Sequence, residues 1–114
     1  MYVLKLKHHF DSAHKLYLSY ESLCQNIHGH RWEIIINIQA EELNKDGMII
    51  DFKKLKSIIN NLDHCYLNDK LNFNTTAENM AKYLYDEIKS IDERFKKIKI
   101  ELFESPEASI VYRE

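Results

Sequence analysis

Hydrophobic and polar residues alternate in four segments of the chain, and a period of two is typical of β-strands that bury one face. The first two segments cover residues 2–10 and 28–41, and the second is rich in isoleucine. Two shorter segments, residues 97–102 and 108–112, follow later and are separated by Ser105 and Pro106. We therefore predict two pairs of strands, one near each end of the sequence.

Two segments between these pairs repeat apolar residues every three or four positions, which predicts amphipathic helices. The first helix follows Asp51, a good N-cap. The second begins near Thr75 or Thr76, where Glu78 is placed for a capping box. The apolar positions are Phe52, Leu55, Ile59 and Leu62 in the first helix, and Ala77, Met80, Ala81, Leu84, Ile88 and Ile91 in the second.

Segments 11–27 and 63–74 show no clear period, and we expect a loop and a polar connection there. The element order is then ββααββ. This order predicts an α+β fold in which a four-stranded antiparallel sheet carries both helices on one face.

Composition limits the class of protein. A chain of 114 residues, 45% hydrophobic and 30% charged, suits a single domain over residues 1–114. A net charge of −2 without a basic block argues against a nucleic-acid partner, and the longest apolar run, residues 34–36, argues against a membrane span. No signal-peptide pattern opens the sequence and two cysteines cannot form a disulfide framework, so we expect a cytoplasmic protein with free thiols.

Five of the six histidines fall within the first 30 residues. His28 and His30 are two positions apart at the start of a strand, so both imidazoles point to one face and can clamp a metal ion. If the first two strands pair antiparallel, His14 lies beside them as a third ligand. Three imidazoles leave an open coordination position, which is typical of catalytic zinc. Iron or another divalent ion is the alternative, since the order of metal affinities alone does not select zinc. His8 and His9 are expected to be ordinary strand residues.

Cys24 and the neighbouring pair Asp63 and His64 also suggest chemistry, but each leaves alternatives open. Cys24 lies four residues before His28 and is either a fourth metal ligand or a thiol base near the metal. Asp63 and His64 are either a proton-transfer pair or solvated residues at a helix end, and the neighbouring Cys65 is expected in the core.

Glu104 shares the parity of the apolar residues in the third strand, so its carboxylate projects from a mostly apolar face and needs a partner. A guanidine-like heterocycle, held by two parallel hydrogen bonds, or a basic side chain would satisfy it.

Taken together, these motifs resemble the family of 6-pyruvoyl- and 6-carboxytetrahydropterin synthases, and the resemblance extends over nearly the whole chain. The motifs are HFDSAH at 9–14, CQNIHGH at 24–30, IDF at 50–52, LDH at 62–64, LN at 67–68, TAEN at 76–79, ES at 104–105 and YR at 112–113.

The resemblance implies a tunnelling fold (T-fold), in which trimers close their sheets into a barrel and two trimers stack as a homohexamer. It also implies zinc as cofactor and a role for each motif residue. Zinc would be bound by His14, His28 and His30, Cys24 would be the base with Asp63 and His64 as its partner pair, Glu104 would anchor the pterin ring, and Thr76 and Glu78 would assist it.

The spacing between Cys24 and His28 is similar to that of the carboxy branch, which makes the 7-deazaguanine precursor of queuosine. The implied reaction converts 7,8-dihydroneopterin triphosphate to 6-carboxytetrahydropterin, acetaldehyde and triphosphate. Thr75 departs from the family, since many relatives have proline there. The alternatives are the pyruvoyl branch, which only eliminates triphosphate, and a non-catalytic module stabilised by zinc. Lys15, Arg31 and Arg113 are candidate cations for the triphosphate, and the sequence does not choose among them.

Overall fold

Five strands and three helices form the fold, and the computed structural model describes residues 1–114. A short 3₁₀ turn, Leu23–Gln25, precedes the second strand. The strands are β1 Tyr2–His14, β2 His28–Ala40, β3 Cys65–Tyr66, β4 Lys97–Ser105 and β5 Ala108–Arg113, and the helices are α1 Phe52–Asn60, α2 Leu67–Lys70 and α3 Ala77–Lys89.

The strands form one sheet in the order β3-β1-β2-β4-β5. Neighbouring strands are antiparallel, except that β3 runs parallel to β1 through Ser12 and Ala13. The α+β prediction is confirmed, but the four-stranded antiparallel description with two helices is incomplete. A two-residue strand and a four-residue helix are too short to show a period, so segment 63–74 looked like a plain connection.

Strand β1 is longer than predicted. The sequence suggested a loop from Asp11 onward, whereas the ladder with β2 continues to the pair His14–His28. Ser12 and His14 keep the inward parity of Phe10 and are buried despite being polar. A pattern of apolar residues could not reveal this last part of the strand.

Helices α1 and α3 pack on one face of the sheet, as predicted, and a core of 23 buried residues lies between them and the strands. Phe10 and Trp32 face each other across β1 and β2 with stacked rings, and neither is exposed. Burial of large side chains of this kind contributes roughly 1.5–3 kcal/mol each. The core therefore fixes the even-numbered face of β1, β2 and β4, which also carries the metal-binding candidates.

The helix starts follow the predicted capping chemistry in part. Asp51 accepts a hydrogen bond from the Lys53 amide at 2.8 Å, and Thr76 accepts one from the Asn79 amide at 3.2 Å. Because Thr76 is the N-cap, the third helical residue is Asn79, and the capping-box role predicted for Glu78 is wrong. No helix is both long and apolar enough to span a bilayer.

Candidate metal centre

Three histidines meet at one end of the β1–β2 ladder. His14 lies directly opposite His28, and His30 follows two residues later on the same face of β2. Their possible ligand atoms lie within 4.8 Å of one another, and ring centroids are 4.6 Å (His14–His28), 5.2 Å (His14–His30) and 4.8 Å (His28–His30) apart. The structure thus brings together the three residues that the sequence singled out, and they could hold one metal ion.

Hydrogen bonds fix the tautomers of two of these rings. His14 Nδ1–H donates to the Thr75 carbonyl at 2.9 Å, and His28 Nδ1–H donates to the Asn26 carbonyl at 2.7 Å. The Nε2 atom of each ring then carries a free lone pair, as a metal ligand requires. His14 Nε2 and His30 Nε2 are buried without a hydrogen-bond partner, and a metal ion would satisfy both.

Burial also favours the neutral form of the His14 and His30 rings. It lowers the pKa of His14 to about 4, and its effect exceeds the opposing effect of the hydrogen bond to Thr75. Burial lowers the pKa of His30 as well, although the nearby Glu104 carboxylate raises it. Neutral imidazoles at physiological pH are the form that binds metals.

Trp32 packs against two of the three histidines. Its ring meets the edges of His14 and His30 at centroid distances of 5.1 and 5.7 Å, and Trp32 is fully buried. Trp32 also stacks on Phe10. The imidazoles therefore pack against a part of the core that cannot move unless the surrounding side chains repack.

Glu104 lies beside this cluster at the end of β4. Its Oε1 is 3.5 Å from His30 Nε2, and its side chain is 32% exposed. The predicted parity is confirmed because Ile100 and Leu102, on the same face, are buried. No lysine or arginine forms an ion pair with Glu104, so the carboxylate is available to a ligand from solvent.

Cys24 lies in the 3₁₀ turn before β2. Ser22 caps this turn by accepting from the Cys24 amide at 3.1 Å, and the Cys24 carbonyl accepts from the Leu16 amide at 2.8 Å. The thiol is free and half-buried, and its sulfur is not part of the group formed by the three imidazoles.

Asp63 and His64 form a hydrogen-bonded pair at the outer edge of the sheet. His64 Nδ1 is 2.8 Å from Asp63 Oδ2, and Asp63 Oδ1 accepts from the Asp11 amide at 2.8 Å. The Asp11 amide, and then His64, lower the pKa of the Asp63 carboxyl. His64 adopts a left-handed backbone with φ 53°, and its side chain is 81% exposed. Within one chain the pair faces solvent rather than the three histidines.

The other predicted residues have simpler surroundings. Thr76 caps α3, and Glu78 is exposed on its first turn. His8 Nε2 forms a hydrogen bond with Asn60 Oδ1 at 2.8 Å. Cys65 packs against the core, where burial raises the pKa of its thiol.

The candidate cations for a triphosphate differ in their contacts. Arg31 is held by both carboxylate oxygens of Asp11, at 3.0 and 3.2 Å. Arg113 lies on β5, far along the sheet from the histidines. Lys15 directly follows His14, with its amino group 5.4 Å from the Tyr17 ring centre.

Thr75 is the residue of the site that sequence reasoning missed. It is completely buried, and both its carbonyl and its hydroxyl oxygen, at 2.9 and 3.1 Å, contact His14 Nδ1. The sequence marked it only as a departure from a common proline. A threonine before a helix carries no signal that distinguishes this role from capping.

The sequence is similar to those of known proteins. The family model described as 6-pyruvoyl tetrahydropterin synthase matches residues 3–114. The 6-carboxy-5,6,7,8-tetrahydropterin synthase of Haemophilus influenzae is 30% identical with 100% of both chains covered, and that of Bacillus subtilis is 27% identical with 92% of this chain and 80% of its own covered.

The fold has solved counterparts as well. The 6-pyruvoyl tetrahydropterin synthase of Caenorhabditis elegans superposes with a TM-score of 0.75 at 24% identity, over 99% of this chain and 95% of its own. The T-fold expected from the motifs is therefore confirmed at the level of one chain. The match over residues 3–114 and the full-length relative confirm the resemblance, and the chain belongs to the 6-pyruvoyl tetrahydropterin synthase family.

Proposed function

We propose that this chain is a zinc-dependent carbon–carbon lyase that converts 7,8-dihydroneopterin triphosphate to 6-carboxy-5,6,7,8-tetrahydropterin, acetaldehyde and triphosphate. The observation that carries the proposal is the cluster of three imidazoles, His14, His28 and His30, beside the carboxylate of Glu104. The relative aligned over its full length bears the name of the carboxy product, which supports this product over the pyruvoyl one. The product would serve 7-deazaguanine and queuosine biosynthesis.

The donor set fits zinc. Two buried Nε2 atoms lack partners, and the Nδ1 atoms of His14 and His28 are fixed by carbonyl acceptors, so the free nitrogens face one another. Three protein ligands leave a coordination position for substrate. When bound, zinc would supply Lewis-acid polarisation of the substrate's side-chain hydroxyls.

Proton transfer is assigned to residues outside the metal ligands. Cys24, held by its capped turn four residues before His28, is the proposed base that removes a proton from the substrate side chain. His64, oriented by Asp63 at 2.8 Å, is proposed to return or relay a proton. Cys24 does not belong to the imidazole group, which favours this role over that of a fourth ligand in a non-catalytic module.

Glu104 is the proposed anchor of the pterin ring. A carboxylate can accept two parallel hydrogen bonds from the guanidine-like edge of a pterin. Its position 3.5 Å from His30 would place the ring next to the metal-bound side chain of the substrate. Thr76 and Glu78, at the start of α3, are proposed as supporting substrate contacts.

We propose that the active form is a homohexamer of single-domain chains. Strand β5 forms one edge of the sheet, and β3 covers only Ser12 and Ala13 of the other edge strand, β1. Pairing of these edges between copies would satisfy their open backbone groups. His64, which lies beside the β1 edge, would then be at an interface. Both cysteines are free, which suits the reducing cytoplasm.

The test is to incubate purified protein with 7,8-dihydroneopterin triphosphate and to identify the products by mass. The expected products are 6-carboxy-5,6,7,8-tetrahydropterin and acetaldehyde. A 6-pyruvoyl product without acetaldehyde would assign the other branch of the family. Unchanged substrate in the presence of a full complement of zinc would refute the lyase proposal.

A further inference from the structure

The sheet face opposite α1 and α3 carries basic residues that the proposed reaction does not use. Odd-numbered residues of β1, β2, β4 and β5 project from this face. At one end its charges are paired, since Arg31 contacts Asp11 at 3.0 Å and Lys7 contacts Glu33 at 3.6 Å. At the other end the charged side chains form no ion pair. These unpaired residues are Lys5, Lys97, Lys99 and Arg113.

The register aligns three of these cations in one row across the sheet, which we call the basic row. Lys5 lies opposite Asn37, Asn37 lies opposite Lys99, and Lys99 lies opposite Arg113. Side chains directly opposite on neighbouring strands have Cβ atoms about 4.5–5.5 Å apart, and like charges in such pairs destabilise a sheet. The Lys99–Arg113 pair therefore costs stability unless an anion lies between the two groups.

Asn37, in the middle of the row, adds a second observation. It lines a cavity of about 270 Å³ together with Gln39, Lys97, Lys99 and Arg113. The cavity thus combines three cations with the polar side chains of Asn37 and Gln39, and this lining suits an oxyanion.

The carboxylates near this cavity already have partners. Glu114, at its rim, accepts from the Tyr112 hydroxyl at 2.9 Å and lies 3.6 Å from the Lys89 amino group. Glu101, on the same face of β4, accepts from the Ser109 hydroxyl at 3.0 Å. Neither carboxylate forms an ion pair with Lys97, Lys99 or Arg113, although Glu114 lines the same cavity.

We propose that the cavity on the basic row binds an oxyanion of the phosphate class, held by Lys97, Lys99 and Arg113. Arginine and lysine at this spacing suit phosphate oxygens, and a multiply charged anion would remove the repulsion between opposed cations. This site is separate from the metal centre. Asn37 is seven residues from His30 on β2, about 23 Å at ~3.3 Å per residue, and projects from the opposite face.

Calorimetric titration of the intact protein with inorganic triphosphate and, separately, with orthophosphate tests the proposal. We expect binding to wild type and a loss of affinity of about tenfold in Lys99→Gln and in Arg113→Gln, because each removes a charge-assisted contact. Lys53→Gln, which changes an exposed lysine on α1, is the matched control and keeps wild-type affinity. Without anion, Lys99→Gln should melt at or above the wild-type temperature, which shows that it folds.

The same titrations in His28→Ala separate this site from the metal centre, because that variant lacks a metal ligand. Retained binding in His28→Ala together with loss in Lys99→Gln supports the proposal. Tighter binding of triphosphate than of orthophosphate would identify a polyphosphate chain as the ligand, and equal binding would identify a single phosphate group. Equal affinities in wild type, Lys99→Gln and Arg113→Gln would overturn the proposal, as would binding that disappears only in His28→Ala.

Discussion

Each imidazole of the metal centre offers one free nitrogen, so the loss of a single ring removes a ligand that no neighbour replaces. We expect His28→Ala to lower metal affinity by more than about 100-fold, beyond the usual effect of altering a residue that only orients a ligand. The measurement is zinc per chain by emission spectrometry after dialysis. His8→Ala is the matched control, since His8 lies on the same sheet but bonds to Asn60. Full zinc retention in His28→Ala would contradict the assignment.

Cys24 can be separated from the ligands by a second variant. Because its sulfur is outside the imidazole group, Cys24→Ala should keep zinc while turnover falls by roughly 10²–10⁴-fold, the range for a positioned proton-transfer group. Zinc content and turnover are measured on the same purified sample. Cys65→Ala controls for the loss of a thiol that packs on the core. If Cys24→Ala loses zinc and activity together, Cys24 is a ligand rather than the base.

The sequence predicted that the three histidines lie together, because strand parity and antiparallel pairing are strict geometric rules. Glu104 followed from the same parity. Thr75 was out of reach, because its contact with His14 joins residues 61 positions apart through a turn of no regular period. The exposure of His64 also depends on how α1 ends against β1, which local pattern does not specify.

At the scale of elements, Arg94 ties the start of β4 to the loop before α1. It donates to the carbonyls of Glu42 and Ile49 at 2.8 Å each, and Asp92 holds its guanidinium at 2.7 Å. The hydrogen bond from Arg94 lowers the pKa of the Asp92 carboxyl below its usual 3.8. The ionised Asp92 therefore contributes stability above that pH, and the contribution is lost as pH falls through the folded-state pKa.

We expect Asp92→Asn to lower the melting temperature by a few degrees at pH 7, the effect of losing one charge-assisted hydrogen bond. The difference between wild type and variant should shrink as pH falls below the ordinary value of 3.8, because the unfolded carboxyl is protonated first and the folded one follows at its lower pKa. Thermal unfolding followed by circular dichroism at several pH values provides the measurement. Asp46→Asn, in an exposed turn, is the control. A difference that persists undiminished at pH 3 would contradict this account.

Elements with several repeats of their pattern were predictable, and those without were not. The four long strands and helices α1 and α3 each contain at least one full alternation or several helical turns. Strand β3 has two residues and is stabilised by pairing with the edge of β1. Helix α2 has four residues, and the Asn68 side chain in it forms hydrogen bonds to the Lys15 backbone at 3.0 Å. Tertiary contacts of this kind leave no period in the sequence.

At the scale of the molecule, the sheet separates two kinds of chemistry. The face under the helices carries the three imidazoles, of which His14 is buried and His28 and His30 are half-buried. The opposite face carries charged residues in contact with solvent. Such a sheet cannot bury both faces within 114 residues. Closure against other copies would enclose the charged face and place the basic row inside the assembly.

The proposed homohexamer makes a prediction about the sheet edges. In an isolated chain the outward amides of β1 and β5 face solvent, so they should exchange their hydrogens rapidly. In an assembly that pairs these edges, alternate amides of residues 2–11 and 108–113 should be protected as strongly as those of β2. Light scattering on the same sample should give the mass of six chains, and dilution to the point of dissociation should remove edge protection while β2 stays protected. A single-chain mass at micromolar concentration, with edges that exchange as fast as the exposed loop at 19–21, would show that the edges stay unpaired.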